Sequence, residues 1–186
     1  IDLVIVDHYG LGIEWERHVK AKLGCQLFAI DDLVREHDAE LILDQTLLRT
    51  SLEYQCLNHH VQILAGCGYA LLKPEFSELR GAALAKAINL QKPKVLLTMG
   101  AIDQFNATLK VLKVFSAQVI EKPSVTVLLS RKASHYEKVT AFCRQHEWTT
   151  HVDFVDDMPS LMHQHDIAIG APGSTTWERA CLGIPS

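Results

Sequence analysis

No apolar run in this sequence reaches the roughly 20 residues that a membrane span needs, and no leader pattern of charge followed by an apolar stretch opens it. A basic surplus is missing as well. Eighteen Lys plus Arg against 22 Asp plus Glu leave a net charge of -4, which argues against a nucleic-acid partner. The five cysteines, Cys25, Cys56, Cys67, Cys143 and Cys181, are odd in number, scattered and without C-x-x-C spacing. That pattern excludes a disulfide framework and a zinc site, and fits reduced thiols in a cytoplasmic chain. Histidine is plentiful, yet no His-x-x-x-His places two rings on one helix face: His59-His60 and His163-x-His165 are the nearest pairs and read as surface residues. Neither metal nor cofactor is expected. Low-complexity segments are absent too.

What is present is a regular alternation. The 186 residues are 48% hydrophobic and 22% charged, enough for the core of one large or two small domains. Short apolar runs without polar alternation at residues 2–7, 25–30, 40–44, 95–99, 125–129, 150–155 and 166–169 read as strands buried in parallel sheets. Helical patterns separate most of them, near residues 13–23, 74–89, 106–118, 136–146 and 158–163, with a further helix opening at Ser174. Residues 46–68 are weak and polar, with a helical turn or two at most. Strands alternating with helices call for doubly wound parallel sheets. The polar, proline-bearing Gln91-Lys92-Pro93-Lys94 is the one candidate hinge, dividing domains 1–90 and 91–186. The chain opens directly in a strand-like run and stops just after a helix, as a segment of a larger protein would.

Two places carry chemistry. Residues 166–169 run into Gly170-Ala171-Pro172-Gly173 and then Ser174-Thr175-Thr176, a strand, a glycine turn and a hydroxyl-rich helix start. Open amides and the positive dipole end of such a helix suit a phosphate. The same residues fit a capping box, since Thr175 and Glu178 have T-x-x-E spacing, and both readings stand on local sequence. The first strands end in Asp7-His8-Tyr9-Gly10, Asp31-Asp32 and Asp44-Gln45. Ligands of open parallel sheets bind beyond the carboxyl ends of strands, although Asp31, Asp32 and Asp44 singly suit turns and caps.

With Val6-Asp7-His8-Tyr9-Gly10, Trp15-Glu16, Ile30-Asp31-Asp32-Leu33, Leu43-Asp44-Gln45, Gly68-Tyr69-Ala70-Leu71-Leu72, Pro74-Glu75-Phe76, Thr98-Met99-Gly100 with Asp103, and Gly173 to Arg179 in order, the sequence resembles the PseG-type UDP-sugar hydrolases of pseudaminic acid biosynthesis. That family has the GT-B fold and is related to the MurG-type glycosyltransferases. The resemblance implies two Rossmann-like domains facing a cleft, both incomplete here. It implies inverting hydrolysis of a UDP-linked 2,4-diacetamido-2,4,6-trideoxy sugar to UDP and free sugar, upstream of flagellin glycosylation. On that pattern Gly173, Ser174, Thr175 and Thr176 receive the diphosphate, Glu178 the ribose hydroxyls, and Gly100 and Asp103 line a second loop. Ala101 and Ile102 depart from the family there, where a glycine and a small polar residue are usual. The family's catalytic base, a histidine in a Gly-x-Gly-His loop, has no counterpart in these residues and is expected upstream of Ile1. Tyr9 and His8 are left as supporting residues that position sugar or water. A UDP-sugar-using glycosyltransferase and, for the segment alone, a non-catalytic UDP-binding module are the alternatives. A monomer is expected.

Overall fold

β-Branched and leucine-rich runs joined by helices pair in parallel, and two such sheets form here. The structure, a computed structural model, describes residues 1–89, 91–118 and 121–186. The chain divides into two compact units, Ile1–Leu71 and Leu72–Ser186.

The first unit contains β1 (Leu3–Val6), α1 (Ile13–Leu23), β2 (Gln26–Ile30), β3 (Leu41–Asp44) and β4 (Gln62–Ala65), with a 3-10 turn at Ser51–Tyr54. Its strands lie in the order β1-β2-β3-β4, all parallel. Val6, Leu27, Ala29, Ile42 and Tyr54 form the core, against which Trp15 and Val19 of α1 pack. Two expectations change. β1 is not buried on both faces: Leu3 is 49% and Ile5 58% exposed, because the strand is at the sheet edge and that face is uncovered among the described residues. β4 arises inside the stretch read as weak and polar. As the opposite edge strand it presents only a short apolar run, too brief to register as a strand on its own.

The second unit contains α2 (Pro74–Ala85), β5 (Lys94–Thr98), α3 (Ala107–Gln118), β6 (Ser124–Leu128), α4 (Tyr136–Gln145), β7 (Thr149–Val152), α5 (Met158–His163), β8 (Ile167–Gly170) and α6 (Ser174–Cys181). Its parallel sheet has the order β7-β6-β5-β8. The fold is α/β, with two Rossmann-like parallel sheets.

Successive leucines of β5 point to opposite layers. Leu97 packs with Leu112 of α3 and Val139 of α4, while Leu96 packs with Phe76 of α2, Met162 of α5 and Leu182. Helices on both faces thus make this half doubly wound. The sequence reading instead drew the line between Leu90 and Gln91, and Leu90 lies outside the described residues. α2 stops at Ala85, short of the expected residue 89. The backbone turns extended at Lys86, and its ammonium bonds the carbonyls of His163 and His165 at 2.9 and 2.7 Å beyond α5. No helix among the described residues is long and apolar enough to cross a membrane.

Candidate functional site

The strand order of the second unit fixes where a ligand can enter. β6 and β7 extend the sheet to one side of β5, and the chain then returns to lay β8 on the other. Between β5 and β8 the loops leave in opposite directions, which opens a crevice beyond the carboxyl ends of the two strands. Thr98 pairs with Gly170 at that end, so the loops carrying Gly100 and Gly173 start side by side.

The two helices that follow differ in how their first turns are satisfied. At α3, Asp103 accepts from the amides of Ala107 at 2.8 Å and Thr108 at 3.0 Å, one with each carboxylate oxygen. Negative charge already occupies that helix start. Asp103, expected to meet substrate, is buried and engaged with its own helix. At α6 the capping residue is Gly173, with no side-chain cap, and its φ of 134° is open to glycine and costly to other residues. Nothing lies within 4 Å of a β-carbon placed on Gly100 or Gly173, so the backbone of both loops is approachable. Because the helix begins at Ser174, Thr175 and Glu178 are the second and fifth helical residues and the T-x-x-E spacing forms no capping box.

Glu178 therefore caps nothing, and among the described residues its buried Oε2 has no hydrogen-bond partner. Burial pushes its carboxyl above the ordinary range, against the opposing charges of Arg179 and Lys73. Arg179, 4% exposed, folds back along α6, donating to Thr175 Oγ1 at 3.1 Å, Thr176 Oγ1 at 3.3 Å and the Ala171 carbonyl at 3.5 Å. Gly170 makes room for it. A β-carbon there would lie 2.6 Å from Arg179 Nη1 and 3.0 Å from the Thr98 carbonyl oxygen.

Five buried side-chain atoms lack a polar partner among the described residues; two, Asn106 Oδ1 and Thr108 Oγ1, are at the start of α3 and two, Glu178 Oε2 and Arg179 Nε, are on α6. The fifth is His163 Nδ1. Buried polar groups are ordinarily bonded, and on α6 two adjacent residues depart from that rule.

The first unit uses its polar strand ends differently. Asp44 accepts from Thr46 N, from the Tyr54 hydroxyl at 2.8 Å and from Arg49 Nε. Burial alone would raise this carboxyl, but those bonds and the Arg49 charge outweigh it and hold it low. His37 sits between two buried carboxylates, Nδ1 at 2.7 Å from Glu16 Oε1 and Nε2 at 3.3 Å from Asp31 Oδ2. Asp31 also binds Arg35, whose Nη1 donates to the Tyr9 carbonyl at 2.7 Å and Nη2 to that of His8 at 3.4 Å. His8 Nδ1 accepts from Gly10 N, which makes the ring part of the turn after β1. Tyr9 is 63% exposed, and the nearby Asp32 carboxylate holds its phenol above the usual value. Among the described residues no group of three or more His, Cys, Asp or Glu is arranged to hold a metal ion.

The chain is similar to a UDP-sugar hydrolase. It is 23% identical over 146 residues, 78% of this chain, to the UDP-2,4-diacetamido-2,4,6-trideoxy-beta-L-altropyranose hydrolase of Campylobacter jejuni subsp. jejuni serotype O:2. It is 22% identical over 193 aligned positions, 99% of this chain, to the uncharacterized protein MJ1062 of Methanocaldococcus jannaschii. The chain spans 50% and 39% of the lengths of these two relatives. No family model matches it. Both likenesses are those of distant relatives.

Of the expected residues, Gly100, Gly173, Ser174, Thr175, Thr176 and Glu178 come from the two switch-point loops and α6, while His8 and Tyr9 belong to the first unit. Sequence reasoning passed over Arg179. Its signal was available in the spacing, since a residue three and four positions after Thr176 and Thr175 shares their helix face.

Proposed function

We propose that the second unit binds the nucleoside diphosphate of a UDP-sugar at the β5/β8 switch point, and that the protein hydrolyses it to UDP and free sugar with inversion. The substrate is proposed to be a UDP-linked 2,4-diacetamido-2,4,6-trideoxy sugar. The observation that carries the binding reading is the orphaned Glu178 carboxylate beside an uncapped helix start. Glu178 accepts from the ribose hydroxyls, and the diphosphate meets the amides of Gly173, Ser174 and Thr175 and the hydroxyls of Ser174, Thr175 and Thr176 next to the open Gly100 backbone. In the reaction water adds to the anomeric carbon, the bond to the diphosphate oxygen breaks, and the electron pair leaves with UDP. The dipole end of α6 supports that leaving charge.

Calorimetry should detect UDP binding by the full chain. UDP release from the UDP-sugar with water as the only acceptor separates hydrolysis from glycosyl transfer, and binding without turnover would reduce the protein to a nucleotide-binding module. Glu178→Ala should weaken UDP by about 10- to 100-fold, the loss of charged hydrogen bonds, with the thermal midpoint little changed. Unchanged affinity would remove the ribose assignment. Tyr9 and His8 are proposed to act on sugar or water, so Tyr9→Phe should slow hydrolysis and leave UDP affinity as it is.

A further inference from the structure

A guanidinium removed from water normally finds a carboxylate, and Arg179 has none bonded to it among the described residues. Its partners are two hydroxyls and one carbonyl, its Nε has no partner, and burial pulls the group below its ordinary value. Gly170 leaves the guanidinium its room, since a β-carbon there would press on Nη1 as well as on the Thr98 carbonyl oxygen. The charge of the neighbouring Glu178 offsets part of the cost of burial, but among the described residues no hydrogen bond joins the two groups, and an anion from outside would complete the pairing.

The directions of the hydrogen bonds say where that anion sits. Arg179 has only donors, so Thr175 Oγ1 and Thr176 Oγ1 must accept from it. Each hydroxyl keeps one proton, and among the described residues neither donates that proton to the protein. Both threonines lie in the first turn of α6, beside the uncapped amides at Gly173. Accepting from a cation also polarises an O–H and makes it a stronger donor.

We propose that Arg179 is a positioning residue for the diphosphate: it locks Thr175 and Thr176 as outward donors and supplies the buried positive charge that makes the site select a nucleoside diphosphate over the nucleoside. This inference rests on the function proposed above and adds to it the residue that reads ligand charge. Arg179 acts through the two hydroxyls and not as a surface clamp. Its selectivity is therefore electrostatic, and lysine cannot replace it, since one ammonium cannot span both hydroxyls in the fork that a guanidinium provides.

Calorimetric titrations of the full chain with UDP, UMP and uridine test this. The wild type should bind UDP at least about 100-fold more tightly than uridine, with UMP between. Arg179→Gln should lose about 10- to 100-fold in UDP affinity while uridine affinity stays within about twofold. A residue that only held the loop in shape would change both ligands together, and that result would overturn the proposal. If Arg179→Gln does not fold, Thr176→Val and Thr175→Val remove the relay while leaving the guanidinium, and the same selective loss of UDP is expected from them. Equal wild-type affinity for UDP and uridine would also overturn it while leaving nucleotide recognition intact. Binding of neither ligand would instead strike the proposed function.

Discussion

Replacing His37 with alanine is expected to lower the stability of the first unit by about 3–5 kcal/mol, because it leaves the fully buried Glu16 carboxylate and that of Asp31 without the ring between them. Glu16 belongs to α1 and Asp31 follows β2, so the imidazole ties a helix to a strand end. Urea unfolding with hydrogen exchange at β2 and β3 would measure the loss, and a change below about 0.5 kcal/mol, the range of ordinary surface substitutions, would contradict it. The effect has a definite pH dependence. Burial disfavours the imidazolium, but the bonds and charges of Glu16 and Asp31 outweigh it and hold His37 above its ordinary value. Since the folded value exceeds the unfolded one, the contribution is fully present below about pH 6.5 and is lost as pH rises through the folded value. Wild-type stability should thus fall as pH rises above about 6.5 by more than that of His37→Gln. Parallel profiles would show that His37 is not the titrating group.

Phe76→Ala should cost the second unit about 3–5 kcal/mol, the usual price of deleting a core aromatic ring. The ring is 1% exposed and packs with Leu96, Met162, Ala168 and Leu182, joining α2 to the β5/β8 face. Exchange protection should drop at β5 and β8 and hold at β2 and β3. The opposite pattern would assign α2 to the first domain, as the Gln91-Lys92-Pro93-Lys94 hinge suggested.

Most elements could be read before any coordinates because their signals are local. Uninterrupted apolar runs gave β2, β3, β5, β6 and β8, and Gly24 and Pro74 bracket helices as their backbone chemistry requires. β4 and the open face of β1 were not legible, since edge position is a property of strand order and leaves no mark on a four-residue run. The site was half legible. Gly173 and the hydroxyls announce a helix start, but whether T-x-x-E caps it depends on which residue begins the helix. The helix is capped at Gly173, two positions before Thr175, which takes Glu178 out of a capping role. Asp103 reads equally as ligand or cap in sequence, and only its paired bonds to Ala107 and Thr108 assign the cap.

The grip of Arg35 on the carbonyls of His8 and Tyr9 has a practical consequence. The loop after β1 is anchored through its main chain, which every residue possesses, while the Tyr9 phenol faces the Asp32 carboxylate. A phenylalanine, a fluorinated tyrosine or a cysteine at position 9 keeps the main-chain carbonyl that Arg35 binds. A label introduced there is held by bonds that do not depend on the side chain it replaces.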